Sequence, residues 1–308
     1  MNFSIRPYQN DDDYWRIRAF LRDVFLCNQR REQSWQVSRL DYWRYFGNEY
    51  LEHYALDQAL TLFETADGRL VGVVTPESRG QAYLLVDPDL RTPALETAML
   101  ETAETRLAEP DEHGICRLTV WATAGDSLRT RLLEEREYHK GDWPEVQFGR
   151  SLAVAIPESA APPGYTIRAL GESAEIPARC WVSWRAFHPD EPAENYLGHD
   201  WYAGIQRCPL YRRDLDLVAV AADGELAAFT TLWYDDVTRT GYFEPVGTSP
   251  DHQRKGLARQ IMYQGLRRLK ALGGVHATVA GYSEGAIALY TSIMGPSVSR
   301  LERWQRTL

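Results

Sequence analysis

The chain has 308 residues, 44% of them hydrophobic and 12% aromatic, which is enough apolar material to fill the cores of about two domains. A formal net charge of −9 argues against a general binder of nucleic acid or of anionic membranes, since such proteins carry basic faces, but it leaves room for one small anion at a local basic site. Cys27, Cys116, Cys180 and Cys208 are scattered, form no CxxC and are too few to staple a chain of this size. No apolar run reaches the roughly 20 residues that span a bilayer, so the expectation is a cytoplasmic protein with reduced thiols.

In chain order, residues 3–8 alternate as a short strand and lead into a helical region. Residues 60–65 and 70–75 flank Asp67-Gly68, a two-residue hairpin signal. A strand over 83–86 follows, then a helix over 93–108 that Thr92 caps and Pro93 starts, then a strand over 116–121. Residues 156–164, rich in proline and small side chains, form the natural linker.

After the linker the same plan begins again. Residues 165–170 repeat the opening strand, and residues 217–222 and 226–234 flank Asp223-Gly224 as a second hairpin. A strand over 241–248, a helix over 256–272 and a strand over 275–280 complete the parallel, with one more helix and a final strand behind them. Leu257, Ile261, Met262, Leu266 and Leu269 share one face of the long helix, and Gly273-Gly274 ends it. The expectation is an α/β chain with a mixed sheet flanked by helices in each half, divided as 1–155, the linker 156–164, and 165–308.

The halves differ between their strand and long helix. In the second, Val246-Gly247-Thr248 runs into Gln253-Arg254-Lys255-Gly256-Leu257-Ala258, a basic loop with a glycine where a helix opens. Orphaned backbone N–H groups, the positive end of the helix dipole and the Arg254 and Lys255 cations suit a pyrophosphate. Gly256 permits close backbone approach, and Ala258 keeps the first turn slim. In the first half, Ala94 and Glu96 are expected at the positions of Gly256 and Ala258, and the acids Asp87, Asp89 and Glu96 would repel the same anion.

Gln253-x-x-Gly256-x-Ala258 resembles the Q/R-x-x-G-x-G/A signature of the GCN5-related N-acetyltransferases (GNAT), and the preceding strand, the following helix and a later Leu289-Tyr290 stand in that family's order. The resemblance covers residues 165–308 well, with a diverged copy over much of 1–155. It implies two tandem acyl-CoA N-acyltransferase folds, the first degenerate and without cofactor, the second catalytic. Acetyl-CoA, or another acyl-CoA, is the implied cosubstrate, and a primary amine of a small molecule the implied acceptor.

The resemblance also implies roles. The backbones of Val246, Gly247 and Thr248 would bind the pantetheine arm and polarise the thioester. Gln253, Arg254, Lys255, Gly256, Leu257 and Ala258 would hold the diphosphate, and Ser283 stands where the family often has a cofactor-binding asparagine. Tyr290 would give a proton to the departing thiolate. Glu244, among Tyr242, Phe243 and Pro245, is the first candidate for the base that deprotonates the amine. Residues 188–211, rich in aromatics and acids, would roof the acceptor site. The glycine after Tyr290 comes one residue later than the family pattern and its phenylalanine is missing, which supports a rival reading as a non-catalytic acyl-CoA-binding regulator. No metal site and no nucleic-acid or membrane partner is expected; sheet edges leave room for a homodimer.

Overall fold

The computed structural model describes residues 2–158 and 160–308; Ser159, inside the expected linker, lies outside them. The chain forms two compact units, Met1–Gln147 with Ser297–Leu308, and Phe148–Pro296. These bounds differ from the expected halves. The last strand of the chain belongs to the first unit, and the residues from Phe148 onward belong to the second.

In the first unit the sheet runs Phe3–Pro7, Thr61–Thr65, Leu70–Thr75, Gln81–Val86, Cys116–Thr123, and then Ser297–Thr307. The hairpin around Asp67-Gly68 forms as expected, with Thr61 opposite Val74. Ser297–Thr307 pairs antiparallel with Cys116–Thr123, from Leu301↔Thr123 to Thr307↔Arg117. Burial explains that placement. Trp304 joins the core cluster of this unit with Leu118, Val120, Met99 and Leu133, so the strand covers apolar surface on a sheet that its sequence separation alone would not suggest.

In the second unit the order is Tyr165–Ala169, Asp216–Ala221, Leu226–Asp235, Thr240–Thr248 and His276–Gly281, with residues 148–151 beside the last. The Leu152 N–H donates to the Val275 carbonyl at 2.9 Å, and Phe148 packs edge-on against Tyr290 with ring centroids 5.8 Å apart. The helix Leu257–Ala271 buries Leu257, Ile261, Met262, Leu266 and Leu269, the face read from the sequence, and Gly273 at φ 87° takes the left-handed turn that ends it.

The two units repeat one device at their starts. Arg6 donates to Asp13 at 2.6 Å while the Gln9 N–H reaches the same carboxylate at 2.9 Å. In the second unit Arg168 donates to Glu175 at 2.8 Å, and the Gly171 N–H reaches that carboxylate at 2.6 Å. Each carboxylate ties the first strand to the start of the first helix, and in both units it titrates below its ordinary range, the arginine's hydrogen bond being the main cause.

Candidate functional site

Strand Thr240–Thr248 opens the site by leaving its neighbour. It pairs in parallel with His276–Gly281 from Thr240↔His276 only as far as Phe243↔Val279. On its other edge the ladder to Leu226–Asp235 slips between Thr230↔Val246 and Leu232↔Phe243, so Glu244 and Pro245 together stand opposite Thr231. Proline has no N–H to give, and a bulge here re-aims the strand end. Residues 246–248 continue without a parallel partner. Gly247 is needed for packing, because a Cβ there would lie 2.5 Å from the Phe229 ring and 3.0 Å from the Ala186 methyl on the helix Ile176–Phe187.

Beyond Thr248 the loop passes through Pro250–His252 to Gly256, the N-cap of Leu257–Ala271. Arg254 at φ 63° and Gly256 at φ 80° are both left-handed, a backbone conformation found in loops whose N–H groups hold anions. No side chain caps the helix, and a Cβ on Gly256 would meet nothing within 4 Å. The first turn therefore presents unsatisfied donors and the positive end of the dipole to open space.

That space is a cavity of about 730 Å³. Val246, Gly247 and Thr248 line it from the strand, Gln253, Arg254, Gly256, Leu257 and Ala258 from the loop and helix, and Ser283 and Tyr290 from the far side. Of the twelve residues singled out in the sequence, these ten converge on one place. The remaining two are Lys255 and Glu244. Lys255 does not line the cavity: its ammonium donates to the Tyr165 hydroxyl at 3.1 Å and to the Asp251 carbonyl at 3.0 Å. Glu244 is half-buried behind the lining; its carbonyl accepts from the Trp233 indole at 2.5 Å, and its charge reaches Tyr290.

Tyr290 stands on the helix Glu284–Met294, buried, with its ring over Gly281. Burial first, and the Glu244 carboxylate second, push its phenol well above the ordinary tyrosine value, so it is protonated throughout the neutral range. Among the described residues none hydrogen-bonds to its hydroxyl. Ser283 caps the same helix, accepting from the Ala286 N–H at 3.2 Å. Arg254 is exposed, and no ion pair or hydrogen bond engages its guanidinium among the described residues.

The sequence reading missed Ala186, Phe187 and His252 as lining residues, and also Gly285, Ala286 and Leu289. The last three could have been found, since Ala286 stands one helical turn before Tyr290 at i, i+4, and Gly285 and Ala286 stand at i+4 and i+3 spacing before Leu289. Phe187 reaches the cavity from the end of a different helix, which no local pattern announces. Among the described residues no group of three or more His, Cys, Asp or Glu could hold a metal ion, and no helix is long and apolar enough to cross a membrane.

The corresponding place in the first unit is built otherwise. Asp87 follows the strand as Ser249 does: the Asp87 N–H donates to the Val71 carbonyl at 3.0 Å, and the Ser249 N–H to the Ala227 carbonyl at 2.9 Å. The helix then starts at Pro93 in one unit and at Leu257 in the other, so the first unit's loop is two residues shorter. Thr92, not Ala94, therefore stands at the N-cap position of Gly256, a correction to the expected alignment. Its hydroxyl accepts from the Leu95 N–H at 3.2 Å. Glu96 is buried and accepts from Arg129 at 2.9 and 2.8 Å and from Arg91 at 2.5 Å. The strand end is closed as well, because the Val86 N–H donates to the Ser34 hydroxyl at 3.1 Å, beside the buried Trp35.

Comparison with known proteins fits this architecture. Residues 176–295 match the acetyltransferase (GNAT) family profile. The curated mycothiol acetyltransferase of Saccharopolyspora erythraea is 32% identical over 194 residues, 58% of this chain and 58% of that protein, so the chain spans well under two thirds of the relative's length. A solved GCN5-related N-acetyltransferase from Sphaerobacter thermophilus superposes with a TM-score of 0.67 at 18% identity, covering 99% of this chain and 95% of that one. A tandem GNAT protein from the clavulanic acid biosynthesis pathway superposes at 0.66 with 15% identity, covering 99% and 98%. The fold is that of two tandem acyl-CoA N-acyltransferase domains. Residues 176–295 match the family's domain model, and the fold is shared with the solved tandem GNAT protein.

Proposed function

We propose that the second unit is an acetyl-CoA-dependent N-acetyltransferase that moves an acetyl group to a primary amine of a small molecule, and that the first unit takes no coenzyme. The observation that carries the reading is the uncapped helix start at Gly256, with unengaged Arg254 beside it, at one side of a cavity whose other side holds Tyr290. Two left-handed residues, free donors and one free cation fit a diphosphate. The cavity, about 730 Å³, is of the size that encloses a small ligand.

Acetyl-CoA would supply the acetyl group as a thioester. The residues of this chain do the rest. The backbone at 246–248, past the end of the parallel ladder, offers N–H groups to polarise a carbonyl. Tyr290 holds a proton on its phenol at neutral pH and can deliver it to a thiolate. Glu244, whose charge is already felt at Tyr290, is the candidate to take a proton from the amine, directly or through water. Most of the rate comes from alignment, since direct attack needs the two reactants held in one geometry.

The alternative, a non-catalytic acyl-CoA-binding regulator, draws on Gly295 ending the helix after Met294 where the family pattern differs. One pair of measurements separates the two. Calorimetric titration with acetyl-CoA should find one site per chain at about micromolar strength, roughly −8 kcal/mol. An amine panel headed by compounds of the class the Saccharopolyspora erythraea relative's name points to should then show acetyl transfer. Tyr290→Phe should lower turnover by about 10²-fold with the titration unchanged. Binding without transfer to any amine would favour the regulator, and no binding would end both readings.

A further inference from the structure

The loop carries two adjacent cations, and only one of them faces the cavity. Arg254 lines it; Lys255 is turned to the other side, toward Tyr165, the first residue of the strand Tyr165–Ala169. Tyr165 is not among the lining residues. Its hydroxyl is nonetheless the meeting point of two loop side chains, because Lys255 donates to it at 3.1 Å and His252 Nδ1 lies 2.9 Å from it. The rings of Tyr165 and His252 meet edge to face at 5.8 Å, and the Lys255 ammonium also lies 5.8 Å from the centre of the Tyr165 ring.

The lysine fixes one direction in this cluster. An ammonium can only donate, so the phenol oxygen accepts from Lys255, and with a neutral imidazole protonated on Nε2 its own proton goes to His252 Nδ1. That Nε2 faces the Glu225 carboxylate at 3.4 Å. Lys255 also donates to the Asp251 carbonyl at 3.0 Å, closing the loop on itself across four residues. The Tyr165 ring in turn packs against the core cluster containing Leu217, Ala219 and Leu257, a fixed support on the sheet.

We propose that Tyr165 is a positioning residue for the coenzyme loop: through Lys255 and His252 it ties residues 251–256 to the sheet, holds Lys255 out of the cavity and leaves Arg254 to meet the diphosphate. The proposal rests on the reading of the cavity as the acetyl-CoA site. It makes Lys255 a structural clamp, where the sequence alone suggested a phosphate ligand.

A double-mutant cycle read by calorimetry at several salt concentrations tests it. The proteins are the full-length parent, Tyr165→Phe, Lys255→Met, the double variant, and Arg254→Met as a reference for direct charge contact; the probe is acetyl-CoA. Tyr165→Phe, which removes the links to both Lys255 and His252, should weaken binding about tenfold, Lys255→Met should weaken it less, and the double variant should be no weaker than Tyr165→Phe, because the Lys255 link is already lost with the hydroxyl. Their salt dependence should match that of the parent, while Arg254→Met should flatten it. In the transfer assay Tyr165→Phe should raise KM for acetyl-CoA with kcat within about twofold, a split that general loss of structure would not produce. Additive losses, or a flattened salt dependence for Lys255→Met, would make Lys255 a direct ligand and overturn the proposal. So would a Tyr165→Phe variant that binds like the parent. A parent that binds no acetyl-CoA would fail at the first titration, and the cavity reading would fall before the loop is in question.

Discussion

Loop Ser249–Gly256 and loop Asp87–Thr92 leave equivalent strand ends and enter equivalent helices, yet they resolve the same electrostatic problem in opposite ways. Every helix start presents N–H groups without partners and a partial positive charge. In the first unit the chain supplies the answer itself: Pro93 has no N–H, Thr92 accepts from Leu95, and Glu96 sits buried near the helix start between Arg91 and Arg129. In the second unit Gly256 caps with no side chain, Ala258 stays small, and Arg254 is left unengaged, so donors and charge stay open to a ligand. The candidate site is a helix start left unfinished, and a shorter loop with a capping hydroxyl is what finishes the equivalent start in the first unit.

Glu96→Ala should have the largest effect on the molecule. It would strand the buried Arg129 and half-buried Arg91 without their carboxylate and cost about 3–5 kcal/mol in denaturant unfolding of the first unit, with the acetyl-CoA affinity unchanged. A fully stable variant would break the contrast, since the first unit's loop would then not depend on its internal acid.

The converse change, Gly256→Glu, places a carboxylate in the open cradle. Acetyl-CoA should bind at least about 100-fold more weakly, close to 3 kcal/mol, while the left-handed backbone at φ 80° adds a stability loss of about 1 kcal/mol. Retained binding would remove the cradle from the site. Thr92→Ala should cost about 1 kcal/mol of stability, measured by denaturant titration, and leave coenzyme binding untouched.

The smallest effect is in pH. Burial pushes Glu96 up, but Arg129 and Arg91 outweigh it and hold the carboxyl below its ordinary value of 4.5. Its contribution is therefore present in full above the unfolded-state value and is lost as pH falls from there through the depressed folded value. Glu96→Gln should flatten the acid limb of stability against pH, and an unchanged limb would show that other carboxylates dominate it.

Much of this was legible in the residues. The Asp67-Gly68 and Asp223-Gly224 hairpins, the Thr92 cap, the apolar face of Leu257–Ala271 and the helix start at Gly256 all formed where short-range patterns put them. What the residues did not announce lay at longer range. Lys255 stands between two residues that do line the cavity, but its ammonium bonds the Asp251 carbonyl and the hydroxyl of Tyr165, ninety positions away in the chain. The plug on the first unit's strand end comes from Ser34, which no motif links to Val86.

The sequence by itself determined the turns, caps, helix faces and the chemistry of the loop, because a left-handed residue, an N-cap or a helix dipole is satisfied or left open within a few residues of its own position. Tertiary structure alone decided which sheet each strand joins. Ser297–Thr307 announces through Leu301 and Trp304 only that one face must be buried, and Glu145–Ser151 does the same through Val146 and Phe148. Alternation sets which side chains turn inward, but the ladder partner is chosen by the apolar surface that the rest of the fold leaves uncovered, and that surface exists only once the sheets have formed.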